Sequence, residues 1–518
     1  MKKRNGPPRD PLTRRHVLTG LGAALGAATF GCSATEGATL LEDAGSSSGS
    51  SGGNDGAGGA GGGAGGAGSA GGAGGAGGAG GSGQAGDDGA GGAPADGCVD
   101  TGGLSPAELL APISTIVVLC MENRSFDHYL GSLRLKEGRQ IDGLTGNESN
   151  RAPDGALVSP FQLDNFTPAD PPHSWDAAHA QWNQGRNDGF VAAHAGPDQR
   201  DVMGYHVREH LPILYALADA SAICERWFSS VLGPTWPNRF FLHGATSRGV
   251  SRNVPVTGFT SVFELLSDAG ISSRNYYHDV PWCSGAYFKF KGVSGIERFF
   301  EDAAAGLLPA FSVIDPQFFG ATANDDHPDH DVQLGQVLMA SVYNALAKSP
   351  QWGRCLLVIT YDEHGGFFDH VPPPTTTDDD PLFSQLGFRV PSIVAGPFVR
   401  RGCAVSTVLD HASVIRTLEA RFEIPRLNAR SGGANDLSCC IDPALLRDPQ
   451  APIALPTVEV SLSQLRARTE TGISQPELWD AAERGVIPRH LDRRREGPDV
   501  ARRVLAHAER LGAARLRD

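Results

Sequence analysis

Two pairs of oxygen-donor side chains stand directly after apolar runs. Glu122-Asn123 follows the stretch Ile113 to Cys120, and Asp362-Glu363 follows Cys355 to Thr360. Carboxylates and side-chain amides are hard ligands, suited to calcium, magnesium or manganese more than to zinc. Adjacent carboxylates repel unless a cation, a proton or an arginine compensates them, so a shared metal ion is an economical reason for placing two such pairs at two strand ends. An ordinary strand-to-helix turn carries Asn and Glu too, and a solvated turn carries Asp and Glu, so neither pair is specific alone. Gly365 and Gly366 follow the second pair and permit a loop tight enough to wrap an ion or a phosphate.

A hydroxyl completes the set. Thr235 lies in the turn Gly233-Pro234-Thr235, just before a predicted helix start, where backbone N–H groups favour anions. It is a candidate nucleophile, although threonine after proline is also an ordinary helix cap. His173, His278, His327, His364 and His370 fall in or beside polar loops with acidic neighbours. A single histidine is usually structural or on the surface. Several in such loops suit proton transfer to a leaving oxygen, or stabilisation of charge on a phosphoryl group.

The elements that must position these groups are legible as buried β-rich runs: Ile113 to Cys120, Cys355 to Thr360 and Ser392 to Gly396. Between them the period becomes helical, as over Asp331 to Lys348 with apolar Val332, Leu334, Val337, Leu338, Val342 and Leu346. Strands alternating with helices predict a mainly parallel sheet with helices on both faces, and in that architecture function gathers at the C-terminal ends of strands. After about Arg426 the pattern changes to a Gly/Asn/Cys-containing loop and Arg-rich helical segments, of which Asp499 to Arg515 is the most regular.

Several long motifs occur in one order: Glu122-Asn123-Arg124-Ser125-Phe126-Asp127-His128, His173-Ser174-Trp175, Gly233-Pro234-Thr235 with Pro237-Asn238-Arg239, and Tyr361 to Pro372. Together they resemble the bacterial phospholipase C and acid phosphatase family of phosphoesterases, from about Ile113 to Phe422. That resemblance implies an alkaline-phosphatase-like three-layer α/β/α fold, one bound divalent metal ion and a hydroxyl nucleophile that forms a phospho-enzyme. Carried over residue by residue, Glu122, Asn123, Asp362 and Glu363 would hold the metal, with Thr235 both contacting it and attacking phosphorus. His173 and His327 would contact the phosphoryl group or protonate the leaving alkoxide, and His278 is a further candidate in a looser motif.

The N-terminal region reads as an address and a tether. Thr13-Arg14-Arg15-His16-Val17-Leu18 and the short apolar stretch after it are of twin-arginine export type, and the stretch is too short and Gly-rich to span a bilayer. Cys32 closes a lipobox-like sequence, so the expected destination is outside the cytoplasm, either anchored to the envelope through Cys32 or released. Residues 33–97 are a Gly/Ala/Ser tract too poor in large apolar side chains to repay ordering, and are expected to form a flexible linker. The expected layout is therefore a signal over 1–32, the linker, a catalytic domain over 98–425 and an extension over 426–518.

A net charge of −14 argues against a nucleic-acid partner. Nine cysteines in an exported chain invite disulfides. Cys120 and Cys355 are expected to be core thiols, and the vicinal Cys439-Cys440 to bond elsewhere rather than to each other. The leading expectation is phospholipase C action on glycerophospholipids, with small phosphate esters, as for a broad acid phosphatase, second. A catalytically silent surface-binding lipoprotein is the alternative from another class.

Overall fold

In a computed structural model that describes residues 100–467 and 473–518, the two strands that end at the acidic pairs lie side by side. The expected signal, Cys32 and the linker lie outside the described residues. Strand β1 (Thr115–Met121) pairs in parallel with a long strand over Cys355–Tyr361, and all seven residues of each are buried. Burial at every position, rather than at alternate ones, means that both faces of the sheet are covered, as the apolar runs of Val, Ile and Leu require.

The sheet has eight strands. In chain order after β1 they are β2 (Ala222–Cys224), β3 (Ser273–Tyr277), β4 (Val293–Gly295), β5 (Phe311–Asp315), β6 (Cys355–Tyr361), β7 (Ile393–Ala395) and β8 (Cys403–Val405). Their spatial order is β8-β2-β7-β6-β1-β5-β3-β4. The neighbours pair in parallel except for β7, which runs antiparallel to both β6 and β2. The sheet is thus mixed and mostly parallel.

Three helices bear on the site. Helix α1 (Thr235–Gly244) starts at the Gly-Pro-Thr turn, and all ten of its residues are buried. Helix α2 (Val332–Ala347) starts after the Asp331 cap, whose carboxylate accepts the Gln333 N–H, and ends at Lys348, in agreement with its periodicity. Helix α3 (Pro476–Glu483) belongs to the C-terminal segment.

The C-terminal segment is built into the body of the molecule. Leu478 and Ile487 share a buried cluster with Trp236 and Phe240 of α1 and with Trp282 and Phe318. The last long helix, α4 (Gly497–Leu511), stops short of the expected Arg515. Gly512 there adopts φ +80°, and residues Ala514–Arg517 form a strand parallel to Val458–Ser461. Glycine closes the helix in the left-handed conformation, and the chain reverses into that small sheet.

Cys120 and Cys355 are buried thiols within β1 and β6, as expected. Cys439 and Cys440 do not bond elsewhere. Both are thiols, with Cys440 Sγ 3.7 Å from Cys224 Sγ and 3.9 Å from Cys439 Sγ, whereas Cys403 is disulfide-bonded. Among the described residues no helix is long and apolar enough to cross a membrane.

Candidate active site

Register brings the two acidic pairs together. Cys120 lies opposite Thr360 and Met121 opposite Tyr361, so β1 and β6 end level and release Glu122-Asn123 and Asp362-Glu363 into the same space. The turn is then locked by its own backbone. Asp362 Oδ1 accepts the N–H groups of Asn123 (3.0 Å) and Glu363 (2.7 Å), and the Asp362 N–H donates to Met121 O (3.1 Å). Asn123 is held at φ +59°, a conformation non-glycine residues adopt rarely and mostly where a site requires it. Gly365, at φ +61°, passes so close beneath it that a Cβ would sit 2.0 Å from Asn123 O.

Arg239 binds both pairs from below. It lies one helical turn after Thr235 on α1, with its guanidinium fully buried. Nη2 donates to Glu122 Oε1 at 2.6 Å and Nε to Asp362 Oδ2 at 3.1 Å, while Nη1 stands 4.0 Å from Asp315 Oδ1. One guanidinium therefore faces three buried carboxylates. Burial pushes Glu122 well above the usual carboxylate range, with Asp362 adding to the shift and Arg239 opposing it. Burial likewise pushes Asp362 up to about 7 against the pull of Arg239, and Asp315 up to about 6. Carboxyls shifted in this direction hold their protons more tightly unless further positive charge lies beside them.

The unused valences show where that charge would sit. Glu122 Oε2 and Glu363 Oε1 are buried and have no hydrogen-bond partner. Thr235 Oγ1 lies 3.5 Å from Asn123 Oδ1. These oxygens are of the hard type that a divalent cation takes, although among the described residues the acids and histidines whose ligand atoms already lie within 4.8 Å of one another are Asp170, His173 and His327.

His173 joins the cluster from the other side. Its Nδ1–H donates to Pro171 O (2.7 Å), which turns Nε2 to within 3.2 Å of the Asn123 side-chain amide and 3.9 Å of Glu363 Oε1. Burial opposes its protonation, but Glu363 and Asp170 raise it to about 9. Burial in turn opposes ionisation of Glu363, yet His173 and His364 hold that carboxyl below its usual range. His327 packs against His173 with ring centroids 6.1 Å apart, and burial lowers its pKa below the ordinary histidine value. Ligand atoms of Asp170, His173 and His327 lie within 4.8 Å of one another, a second cluster that shares His173 with the first.

His278 is not brought into this group. Fully buried after the end of β3, it lines a small cavity with Gln317, Asn324, Leu334 and Val337, between α2 and α4, and both ring nitrogens lack a hydrogen-bond partner. His364 supports rather than faces the site: Nδ1 is 3.1 Å from Glu363 Oε2 and Nε2 is 2.7 Å from Gln181 Oε1. His370 pairs with Asp127 and Asp142. Of the aromatic residues near these motifs, Phe190 and Trp236 are core, whereas Trp175 and Trp182 are partly exposed.

Sequence reasoning does not single out Arg239 and Asp315 as site residues, although both carry a signal. Arg239 falls one turn after Thr235 within the Pro-Asn-Arg motif, and Asp315 ends an apolar run as the other acids do. Asp170 sits three residues before His173 and has no signal beyond proximity.

The sequence model of the phosphoesterase family matches residues 113–425, a stretch that holds every residue of this cluster. The chain is similar to non-specific phospholipase C6 of Arabidopsis thaliana, 36% identical over 359 residues that cover 61% of this chain and 69% of that protein. It is similar to phospholipase C A of Mycobacterium tuberculosis, 32% identical over 404 residues that cover 64% and 77%. Among solved structures, a protein in the alkaline phosphatase superfamily from Vibrio parahaemolyticus aligns with a TM-score of 0.31 and 12% identity, covering 59% of this chain and 76% of that one. On the strength of the family match and these relatives, the chain belongs to the phosphoesterase family and is a phosphoric ester hydrolase.

Proposed function

We propose that this chain is an exported, metal-dependent phospholipase C that cleaves glycerophospholipids through a phospho-threonine. The observation that carries the reading is that β1 and β6 end level at Glu122-Asn123 and Asp362-Glu363, with Thr235 Oγ1 3.5 Å from Asn123 Oδ1 and two buried carboxylate oxygens left unpartnered. Those five residues would hold one divalent cation, which when bound supplies the positive charge that stabilises the threonine alkoxide and the phosphoryl oxygens.

The protein's own groups account for the rest. Thr235, at the first position of α1, places its hydroxyl where the helix N-terminus also favours an anion. Attack by Thr235 Oγ on phosphorus forms one P–O bond as the bond to the glycerol oxygen breaks, and diacylglycerol leaves. His173, whose protonation Glu363 and Asp170 favour against burial, is assigned the proton for the departing alkoxide. Water then displaces Thr235 Oγ from the phospho-threonine, releasing the phosphorylated head group. His327, whose protonation burial disfavours, is assigned the proton of that water.

Relatives named as phospholipases C support a lipid substrate. The test is turnover of a choline glycerophospholipid and of a simple aryl phosphate by the purified protein, with and without chelator. Metal-dependent lipid cleavage is expected. Aryl phosphate turnover without lipid cleavage would make the protein a phosphatase, and no metal-dependent turnover of either would remove the mechanism.

A further inference from the structure

Gln475 lies well beyond residue 425, where the family match ends, yet it reaches the centre of the cluster. It occupies the cap position of helix α3, but its side chain does not cap that helix. The side chain is instead buried to 1% exposure, donating from Nε2 to Glu122 Oε1 at 2.6 Å and accepting at Oε1 from the Trp236 indole N–H at 2.9 Å. Chemistry fixes this orientation. The Trp236 indole N–H can only donate, so the amide oxygen must face it and the amide nitrogen is left for Glu122.

This arrangement acts on the site in two ways. Glu122 Oε1 takes two charge-assisted hydrogen bonds, one from Gln475 and one from Arg239, and this leaves Oε2 as the oxygen free to serve a cation. Trp236, the residue after Thr235, is pinned at its ring by Gln475 and at its backbone N–H by Asn253 Oδ1 at 2.9 Å. One amide thus ties a candidate ligand to the neighbour of the candidate nucleophile.

We propose that Gln475 is a positioning residue of the active site, supplied by the C-terminal segment, that orients Glu122 toward the metal and fixes the turn carrying Thr235. The proposal rests on the reading of Glu122 as a metal ligand. Partners that orient metal ligands in this way typically carry about 10- to 100-fold in metal affinity or activity.

The test compares the full-length wild type with Gln475→Met, Gln475→Glu and Glu122→Gln. The Met variant keeps the volume and loses both hydrogen bonds, and the Glu variant places a second carboxylate against Glu122. Manganese and calcium are titrated alone by calorimetry, and kcat and KM are measured on an aryl phosphate. Gln475→Met should lose roughly 10- to 100-fold in metal affinity or kcat with KM little changed, and Gln475→Glu should lose at least as much. If Gln475→Met stays within about threefold of wild type in both metal affinity and kcat, Gln475 is an anchor only and the proposal is overturned, whatever the thermal midpoint does. Wild-type metal affinity and turnover in Glu122→Gln would instead overturn the ligand reading itself, an outcome recognisable without the Gln475 variants.

Discussion

At the scale of single residues, the site is a charge problem in which one built-in cation serves three acids. Arg239 faces Glu122, Asp362 and Asp315 in a fully buried setting, and removing one partner of a buried ion pair typically costs about 3–5 kcal/mol because the other charge is left unpaired. Arg239→Met is therefore expected to lower apo-protein stability by about that much in denaturant unfolding. Thr235→Ala should fold and still bind metal through the four remaining ligands while kcat falls by roughly 10³-fold or more, read by steady-state turnover; near-normal turnover would remove Thr235 from the mechanism. His370 offers a titration away from the cluster. Burial opposes its protonation, but Asp127 at 2.6 Å and Asp142 at 3.2 Å raise it from 6.5 to about 10. The stabilisation from this raised value is complete below the ordinary histidine range and is lost as pH rises through the folded value. The melting-temperature gap between wild type and His370→Asn should accordingly shrink between about pH 6 and about pH 10.

At the scale of elements, much of the site is legible in the sequence because its residues punctuate strands. The runs ending at Glu122 and at Asp362 announce two buried strands, and the periodicity of α2 predicts its ends. What the sequence does not carry is register. Nothing in either run says that Met121 stands opposite Tyr361, and a slip of one residue would turn every side chain to the other face. His278 shows the same limit: its neighbours give it a place near a strand end but not the face on which it lies. Arg239 belongs to a motif that does not disclose its role, because a buried cation is recognised only once the acids around it are in place. The periodicity of the tail helix runs on to Arg515, whereas Gly512 ends the helix itself. Gly365 tests the element directly. With φ +61° and no room for a Cβ, Gly365→Ala should lose about 1–3 kcal/mol of stability and displace Asn123, reducing turnover more than a surface Gly→Ala control does.

At the scale of the whole molecule, the described catalytic region and C-terminal segment share a core. Leu478 and Ile487 pack with Trp236 and Trp282, and α4 buries Val500, Val504 and Ala508. A chain ending near residue 456 would expose those surfaces, and the expected result is insoluble or non-cooperatively melting protein. A truncated chain that melts cooperatively with full activity would contradict this. The pairing that joins the two acidic turns also bears on how the molecule comes to be active. The hydrogen bond from the Asn123 N–H to Asp362 Oδ1 closes a loop spanning 239 residues of sequence, and parallel pairings of that separation are slow to form. Hydrolytic competence should therefore be a late event in folding: when denatured protein is diluted into native buffer, helical circular dichroism should recover first and turnover should lag behind it. An incomplete chain, or a compact intermediate on the way to the native state, would then be chemically inert, and the appearance of activity would serve as a clock for the closing of the central sheet.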